Sequence, residues 1–231
     1  MKALLNGYFE MLFPKICACC SCQLADEEST LCEFCKYDRF ELTDSCISGT
    51  TEEILPEHIE FRMSLWQFDK GGYLQDLMHR LKYEHLYGLG VDFGFELGKV
   101  LRRKAGQNGW LFCYQPLLVP VPLHRKKERQ RGYNQAFAIC EGVSGVTGWA
   151  ILSERKLYRK RNTRTQTGLA FEERRKNISG VFEIIGVDFL PYEMPIIIDD
   201  VYTTGATVME LAQTLRESGA ERIGIATLAE A

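Results

Sequence analysis

Downstream of residue 60, short unbroken apolar runs alternate with stretches of helical period. Phe61 to Phe68 reads as a strand, and Tyr73, Leu74, Leu77, Met78 and Leu81 form a helical stripe ending near Lys82 and Tyr83. A second helix is expected over Leu89 to Arg103, a strand over Leu117 to Val121, and a helix over Gln135 to Val143. Further apolar segments near 150 to 152, 181 to 185, 195 to 198 and 223 to 228 are separated by helices or loops. This alternation predicts an α/β fold with a mainly parallel sheet flanked by helices. Ile196, Ile197 and Ile198 are β-branched and uninterrupted, as suits a strand covered on both faces.

The richest boundary follows that strand, in Asp199-Asp-Val-Tyr-Thr-Thr-Gly-Ala-Thr207. Neighbouring strand residues point to opposite faces, so at least one of Asp199 and Asp200 faces the crevice where open α/β sheets take ligands. Adjacent acids there suit hydroxyls or a metal. Thr203 to Thr207 adds three hydroxyls, backbone N–H groups and a glycine free to take positive φ, at the start of a helix whose dipole favours anions. A phosphate fits this loop, as would a carboxylate. The helix itself shows an apolar stripe of Val208, Leu211, Ala212 and Leu215, and Thr207 with Glu210 has capping-box spacing.

Two more segments carry candidate anion chemistry. Strand 117–121 ends in Pro-Val-Pro-Leu-His-Arg, followed by Arg129-Gln-Arg-Gly-Tyr-Asn-Gln135. Proline fixes φ, and the Val-Pro bonds are candidates for the cis form, so Val121 and Pro122 open a stiff, shaped loop. With Arg131 and Gly132 it reads as a pyrophosphate cradle, because clustered like charges repel unless an anion compensates them. The stretch from Tyr158 to Asn177 is polar and basic and reads as a lid, with Arg164, Gln166, Arg174 and Asn177 as polyphosphate contacts. His79 and His124 lack paired partners and read as structural or solvent-facing.

The first 46 residues differ in kind. Seven of nine cysteines lie between 17 and 46, and Cys17-x-x-Cys20 and Cys32-x-x-Cys35 are paired knuckles with eleven residues between them. Two such turns complete a closed tetrahedral zinc shell, whose role is to fold a segment too small for a core of its own. Cys19-x-x-Cys22 has equal spacing and Cys46 is a further potential ligand, so the register stays open. Polar, turn-rich residues 47–60 read as a linker, leaving 1–46 as a helix plus zinc module and 61–231 as the larger domain.

Composition then narrows the class. With 231 residues and 45% hydrophobic content the chain can bury a substantial core. Net charge is −3, yet residues 125–176 hold fourteen Lys and Arg against five acids, a local +9 inside an otherwise acidic protein. That pattern fits an anionic ligand better than a general nucleic-acid coat. The N-terminus lacks the sustained apolar core of a signal peptide, and no apolar run approaches the ~20 residues of a membrane span, so a cytoplasmic protein is expected.

The run Ile-Ile-Ile-Asp-Asp-Val-Tyr-Thr-Thr-Gly-Ala-Thr resembles the phosphoribosyl pyrophosphate (PRPP) motif of type I phosphoribosyltransferases. The resemblance implies that fold, with Asp199 and Asp200 on the ribose hydroxyls and Val201, Thr203, Thr204, Gly205, Ala206 and Thr207 around the 5′-phosphate. Taken with the knuckles after Phe13-Pro14, Leu-Lys-Tyr at 81–83, Pro-Val-Pro-Leu-His-Arg at 120–125, Arg-Gly-Tyr-Asn-Gln at 131–135 and Asn-Thr-Arg-Thr-Gln at 162–166, the chain resembles the ComF family of competence-associated proteins. That resemblance implies PRPP and Mg²⁺ as ligands, a structural zinc and DNA-uptake proteins as partners. The expected activity is transfer of a 5-phosphoribosyl group to an unidentified nitrogen acceptor, as in amidophosphoribosyltransferases. The alternatives are a non-catalytic PRPP or nucleotide sensor in competence, and direct contact with single-stranded DNA.

Overall fold

The computed structural model describes residues 14–25, 30–48, 54–109, 113–161 and 180–231. Two short helices, α1 (Glu33–Asp38) and α2 (Asp44–Ser48), precede β1 (Ile59–Gln67), α3 (Tyr73–Tyr83) and α4 (Tyr87–Gln107). Then follow β2 (Gln115–Pro120), α5 (Arg125–Arg131), α6 (Gln135–Thr147), β3 (Ala150–Ile151), β4 (Leu157–Arg159), β5 (Phe182–Ile184), β6 (Glu193–Tyr202), α7 (Ala206–Glu217) and β7 (Ile223–Glu230). Five strands form one sheet in the order β1-β7-β6-β2-β3, and every neighbouring pair is parallel. The expected parallel α/β architecture is therefore present.

Alternation along β6 explains how one strand serves two cores. Ile196 and Ile198 pack with Leu81 of α3, Phe93 and Leu97 of α4 and Ile139 of α6, whereas Ile197 packs with Val208, Leu211 and Leu215 of α7. All three isoleucines are fully buried, as an unbroken apolar run demands. Helices α4 and α6 approach unusually closely. A Cβ on Gly94 would stand 2.8 Å from the carbonyl carbon of Ile139, so the Gly90, Gly94 and Gly98 row on α4 is a packing surface that periodicity alone does not reveal.

Three details differ from the expectation. Residues 47–60 are not all linker: α2 runs to Ser48 and β1 starts at Ile59, with 49–53 outside the described residues. The cysteine segment also lacks independence from the larger domain. Cys17, Leu31, Cys35 and Phe40 join the same buried cluster as Trp66 and Phe93, and the three aromatic rings meet at centroid distances of 5.0 to 6.2 Å. Arg80 of α3 donates to the Ala18 carbonyl, and the Thr30 N–H donates to Asp92 of α4 at 2.8 Å. The start of the expected lid also differs, since Tyr158 and Arg159 lie in β4, which pairs antiparallel with β5. This ribbon is held by Leu157 and Phe182, both buried.

Candidate functional site

The sheet fixes where a ligand would go. Strands β2 and β6 are neighbours, but the chain leaves β2 through α5 and α6 toward β3 and leaves β6 through α7 toward β7. Their carboxyl ends thus flank a topological switch point, where diverging connections open a crevice. Strand β6 runs through the acidic pair to Tyr202 rather than stopping at Ile198. By strand alternation Asp200 continues the face of Ile196 and Ile198, and Asp199 that of Ile197.

The two carboxylates are held by the backbone and differ in charge. Asp199 Oδ1 accepts the Asp200 N–H at 2.9 Å, and Asp200 Oδ1 accepts the Val201 N–H at 2.9 Å. The remaining oxygen of Asp200, Oδ2, stands 2.6 Å from Lys82 Nζ at the end of α3. This is an ion pair without hydrogen-bond alignment, since Oδ2 is buried and accepts no aligned bond. Burial pushes the Asp200 carboxyl up, but the Lys82 ammonium and its contact outweigh that and hold it below the usual range, with help from Arg131. Asp199 moves the other way, raised by burial and by the Asp200 charge. The pair consequently carries about one negative charge, with Asp199 as the acid that keeps its proton longer.

Beyond the pair lies a helix start built to receive an anion. Gly205 is the N-cap of α7 at φ 69 and, as a glycine, has no side chain with which to cap it. The expected capping box is absent: Thr207 is already in the second helical position, and Glu210 instead accepts the Gly180 N–H. First-turn N–H groups have no intrahelical partner and receive no cap from the Gly205 side, and the dipole favours negative charge there. Thr204 Oγ1 is buried without a partner among the described residues. Thr203 is exposed, and Ala206 and Thr207 are half-buried.

The proline-ended loop borders this crevice. Val121 N–H donates to Ile198 O at 3.0 Å, extending the β2–β6 ladder, and Asn134, the N-cap of α6, donates to Val121 O at 3.2 Å. All peptide bonds among the described residues are trans, so proline stiffens this loop without a cis bond. The basic run forms a short helix, α5, ended by Gly132 at φ 80. Arg131 donates to Gln135 at 2.9 Å and lies 5.4 Å over the Tyr83 ring. The Arg159 guanidinium in β4 is pulled down by burial, partly offset by the charge of Asp199. A cavity of about 370 Å³ adjoins, lined by Pro120, Pro122, Glu128, Glu154, Tyr158 and Arg159 among others. Arg164, Gln166, Arg174 and Asn177 lie outside the described residues. His124 caps α5 by accepting the Lys126 N–H, and the His79 ring lies 4.7 Å from that of Tyr83.

Lys82 is the residue that sequence reasoning missed. It sits within the Leu-Lys-Tyr run, and its signal was a cation directly after the last buried leucine of an apolar helical stripe.

At the cysteine module, an antiparallel turn across the bridge from Ile16 to Gln23 brings the sulfurs of Cys17, Cys20, Cys22 and Cys32 within 4.8 Å of one another. The separations of Cys20 from Cys22 and Cys32, 3.2 and 3.7 Å, compare with the edge of about 3.8 Å that four Zn–S bonds of ~2.3 Å give a tetrahedron. Four thiols at this spacing fit a structural metal such as zinc. Hydrogen bonds from the Cys22 backbone and thiol pull the Cys20 thiol down to about 6, toward the thiolate a metal needs. Three of the four expected ligands are in this group. Cys35 is packed against it, its N–H donating to Cys32 Sγ, and Cys22 takes the fourth place. Cys46 stands apart, buried on α2.

Comparison with known proteins finds similarity over about half of the chain. The chain is 35% identical over 115 residues to Competence protein F of Haemophilus influenzae, a match covering 49% of this chain and 50% of that protein. Over this matched half, the chain is similar to a protein named for competence. It is also 33% identical over 114 residues to the DNA utilization protein YhgH of Escherichia coli K12, covering 47% and 46%, and 29% identical over 106 residues to Competence protein ComFC of Bacillus subtilis, covering 45% and 39%. The chain thus spans about half the length, or less, of the curated relatives it matches. No family model matches it. Among the described residues no helix is long and apolar enough to cross a membrane.

Proposed function

We propose that this chain is a ComF-family protein that binds a 5-phosphorylated ribose, with PRPP as its ligand, in a type I phosphoribosyltransferase fold, and transfers the phosphoribosyl group to a nitrogen nucleophile. The observation that carries this reading is the acidic pair at the end of β6 followed within five residues by an uncapped helix start at Gly205. A vicinal diol is matched by two adjacent carboxylates, each with one oxygen taken by backbone and one remaining. The 5′-phosphate is matched by the N–H groups of α7 and by the Thr204 hydroxyl, which has no partner among the described residues.

In this reading the chain's residues bind, orient and neutralise. Asp200, kept ionised by Lys82, accepts a ribose hydroxyl, and Asp199 supports its neighbour. The Thr203 to Thr207 loop anchors the phosphate, which fixes the anomeric carbon relative to the β2 loop. Val121, Pro122, Arg131 and Gly132 border the pyrophosphate, and Arg164 and Gln166, outside the described residues, are further candidates from the sequence for contacting it. Departure of pyrophosphate leaves an oxocarbenium-like centre, so the site's task is charge stabilisation on the leaving group rather than strong base catalysis. Mg²⁺, carried with the substrate on its phosphate oxygens, would add to that neutralisation. The cysteine group would hold zinc as a fold-stabilising element.

A second reading, a PRPP or nucleotide sensor without turnover, is favoured by the names of the relatives, which speak of competence and DNA utilization. Pyrophosphate release from Mg·PRPP over a panel of nucleobases, amines and ammonia separates the two. The transferase reading expects release with at least one acceptor. Tight PRPP binding with no release from any acceptor leaves the sensor.

A further inference from the structure

Asp200 has one oxygen for a ligand, and that oxygen is already taken. Oδ1 receives the Val201 N–H at 2.9 Å, while Oδ2 lies 2.6 Å from Lys82 Nζ. A ribose hydroxyl donating to Asp200 must therefore come to the oxygen that the ammonium occupies. We propose that Lys82 is an exchangeable counter-ion of this site: its ammonium holds Asp200 Oδ2 in the free protein and passes from that carboxylate to the anionic diphosphate of an incoming ligand. The proposal rests on the phosphoribosyl reading above.

The local structure makes Lys82 suited to leaving and its neighbours suited to staying. Lys82 is the penultimate residue of α3, its side chain about a quarter exposed, with a compact charge on a flexible four-carbon stem. Leu81, directly before it, is fully buried and fixes the helix, so movement is confined to the stem. Arg131 is tethered by Gln135 and stacked on Tyr83. The Lys82 ammonium is the one contact that Oδ2 makes among the described residues, so a hydroxyl that donates to Oδ2 takes its place. The displaced ammonium then needs an anion within reach, or the exchange leaves a charge uncompensated in a partly buried place. A diphosphate on the ribose supplies it; a free anomeric hydroxyl does not. Lys82 would accordingly make the site favour diphosphorylated over monophosphorylated ribose.

Calorimetric titration of wild type, Lys82→Met and Lys82→Arg with Mg·PRPP and with ribose 5-phosphate tests this. Lys82→Met is expected to weaken PRPP about tenfold or more, the scale of a lost charge-assisted hydrogen bond, while changing ribose 5-phosphate affinity less than about threefold. Lys82→Arg keeps the charge and is expected to recover most of the PRPP affinity. A merely structural lysine would weaken both ligands alike. Equal losses, or an unchanged PRPP affinity in Lys82→Met, overturn the exchange. Should thermal unfolding show Lys82→Met to be misfolded, Lys82→Gln carries the same comparison. A wild-type protein that binds neither ligand overturns the phosphoribosyl reading itself, and the exchange with it; that failure is told apart by appearing before any substitution is made.

Discussion

Replacing Gly205 by alanine addresses the phosphate loop through a single methyl group. Two costs arise there. At φ 69 the backbone is in the left-handed region, which costs an L-residue roughly 1–2 kcal/mol. The new Cβ would also press on the Tyr202 ring, 2.8 Å from Cζ and 3.1 Å from Cε2, with the hydroxyl oxygen nearer still. Tyr202 cannot easily yield, because it is buried, and Arg62 lies 4.4 Å over its ring while pairing with Glu230 at 2.6 Å. Overpacking of this kind costs about 1–3 kcal/mol. The combined loss is about 2–5 kcal/mol, or a fall in Tm of roughly 4–20 °C for a chain of this size. Because Gly205 sets the direction of the first α7 N–H groups, binding of ribose 5-phosphate should fall at least about tenfold as well. Gly145→Ala is the control: Gly145 lies in α6, where an added methyl would meet nothing within 4 Å, and alanine there should gain up to about 1 kcal/mol. Differential scanning fluorimetry and calorimetric titration read both effects. A Gly205→Ala protein that melts within about 1 °C of wild type and binds ribose 5-phosphate equally well would refute the reasoning.

Two further outcomes follow from the site geometry. Purified without chelator, the protein should contain about one equivalent of zinc; Cys22→Ser should lose most of it and Cys35→Ser should retain it, by emission spectroscopy, and the opposite pattern would return the fourth ligand to Cys35. Asp199 has its folded pKa raised by burial and by Asp200, so folding disfavours its ionised form, and the penalty is absent at acid pH and grows as pH rises from the ordinary carboxylate range toward the folded value. Asp199→Asn should therefore be near neutral for stability around pH 4 and increasingly stabilising toward pH 8 in urea denaturation, while weakening ribose 5-phosphate binding.

How much of this was legible in the sequence depended on whether the signal was local. The apolar run 196–198, the adjacent acids and the small-residue loop lie within one stretch of chain, and the strand, the crevice and the uncapped helix start are assembled from them. Two features mislead because local pattern does not decide them. Thr207 and Glu210 have capping-box spacing, yet the helix begins one residue before Thr207, so the spacing has no cap to serve. Residues 1–46 look like a separate module by composition, but Phe40 meets Trp66 and Phe93 in a shared core, a contact between residues more than 25 apart in sequence that no periodicity encodes. Lys82 escapes sequence reasoning for the same reason, being 118 positions from the carboxylate it pairs with. The zinc register stays open in the sequence because Cys17, Cys19, Cys20 and Cys22 offer overlapping pairs, and only the turn between Ile16 and Gln23 brings Cys22 to Cys17 and Cys20.

The central claim is that the acidic pair and the Gly205 loop hold a phosphorylated ribose. Isothermal titration of the protein with Mg·PRPP tests it most directly, with Asp200→Asn titrated alongside. The account predicts one ligand per chain, with affinity at least about tenfold weaker in Asp200→Asn, since that change removes the ionised acceptor at Oδ2. Absence of binding to the wild type, or equal affinity in Asp200→Asn, would contradict it.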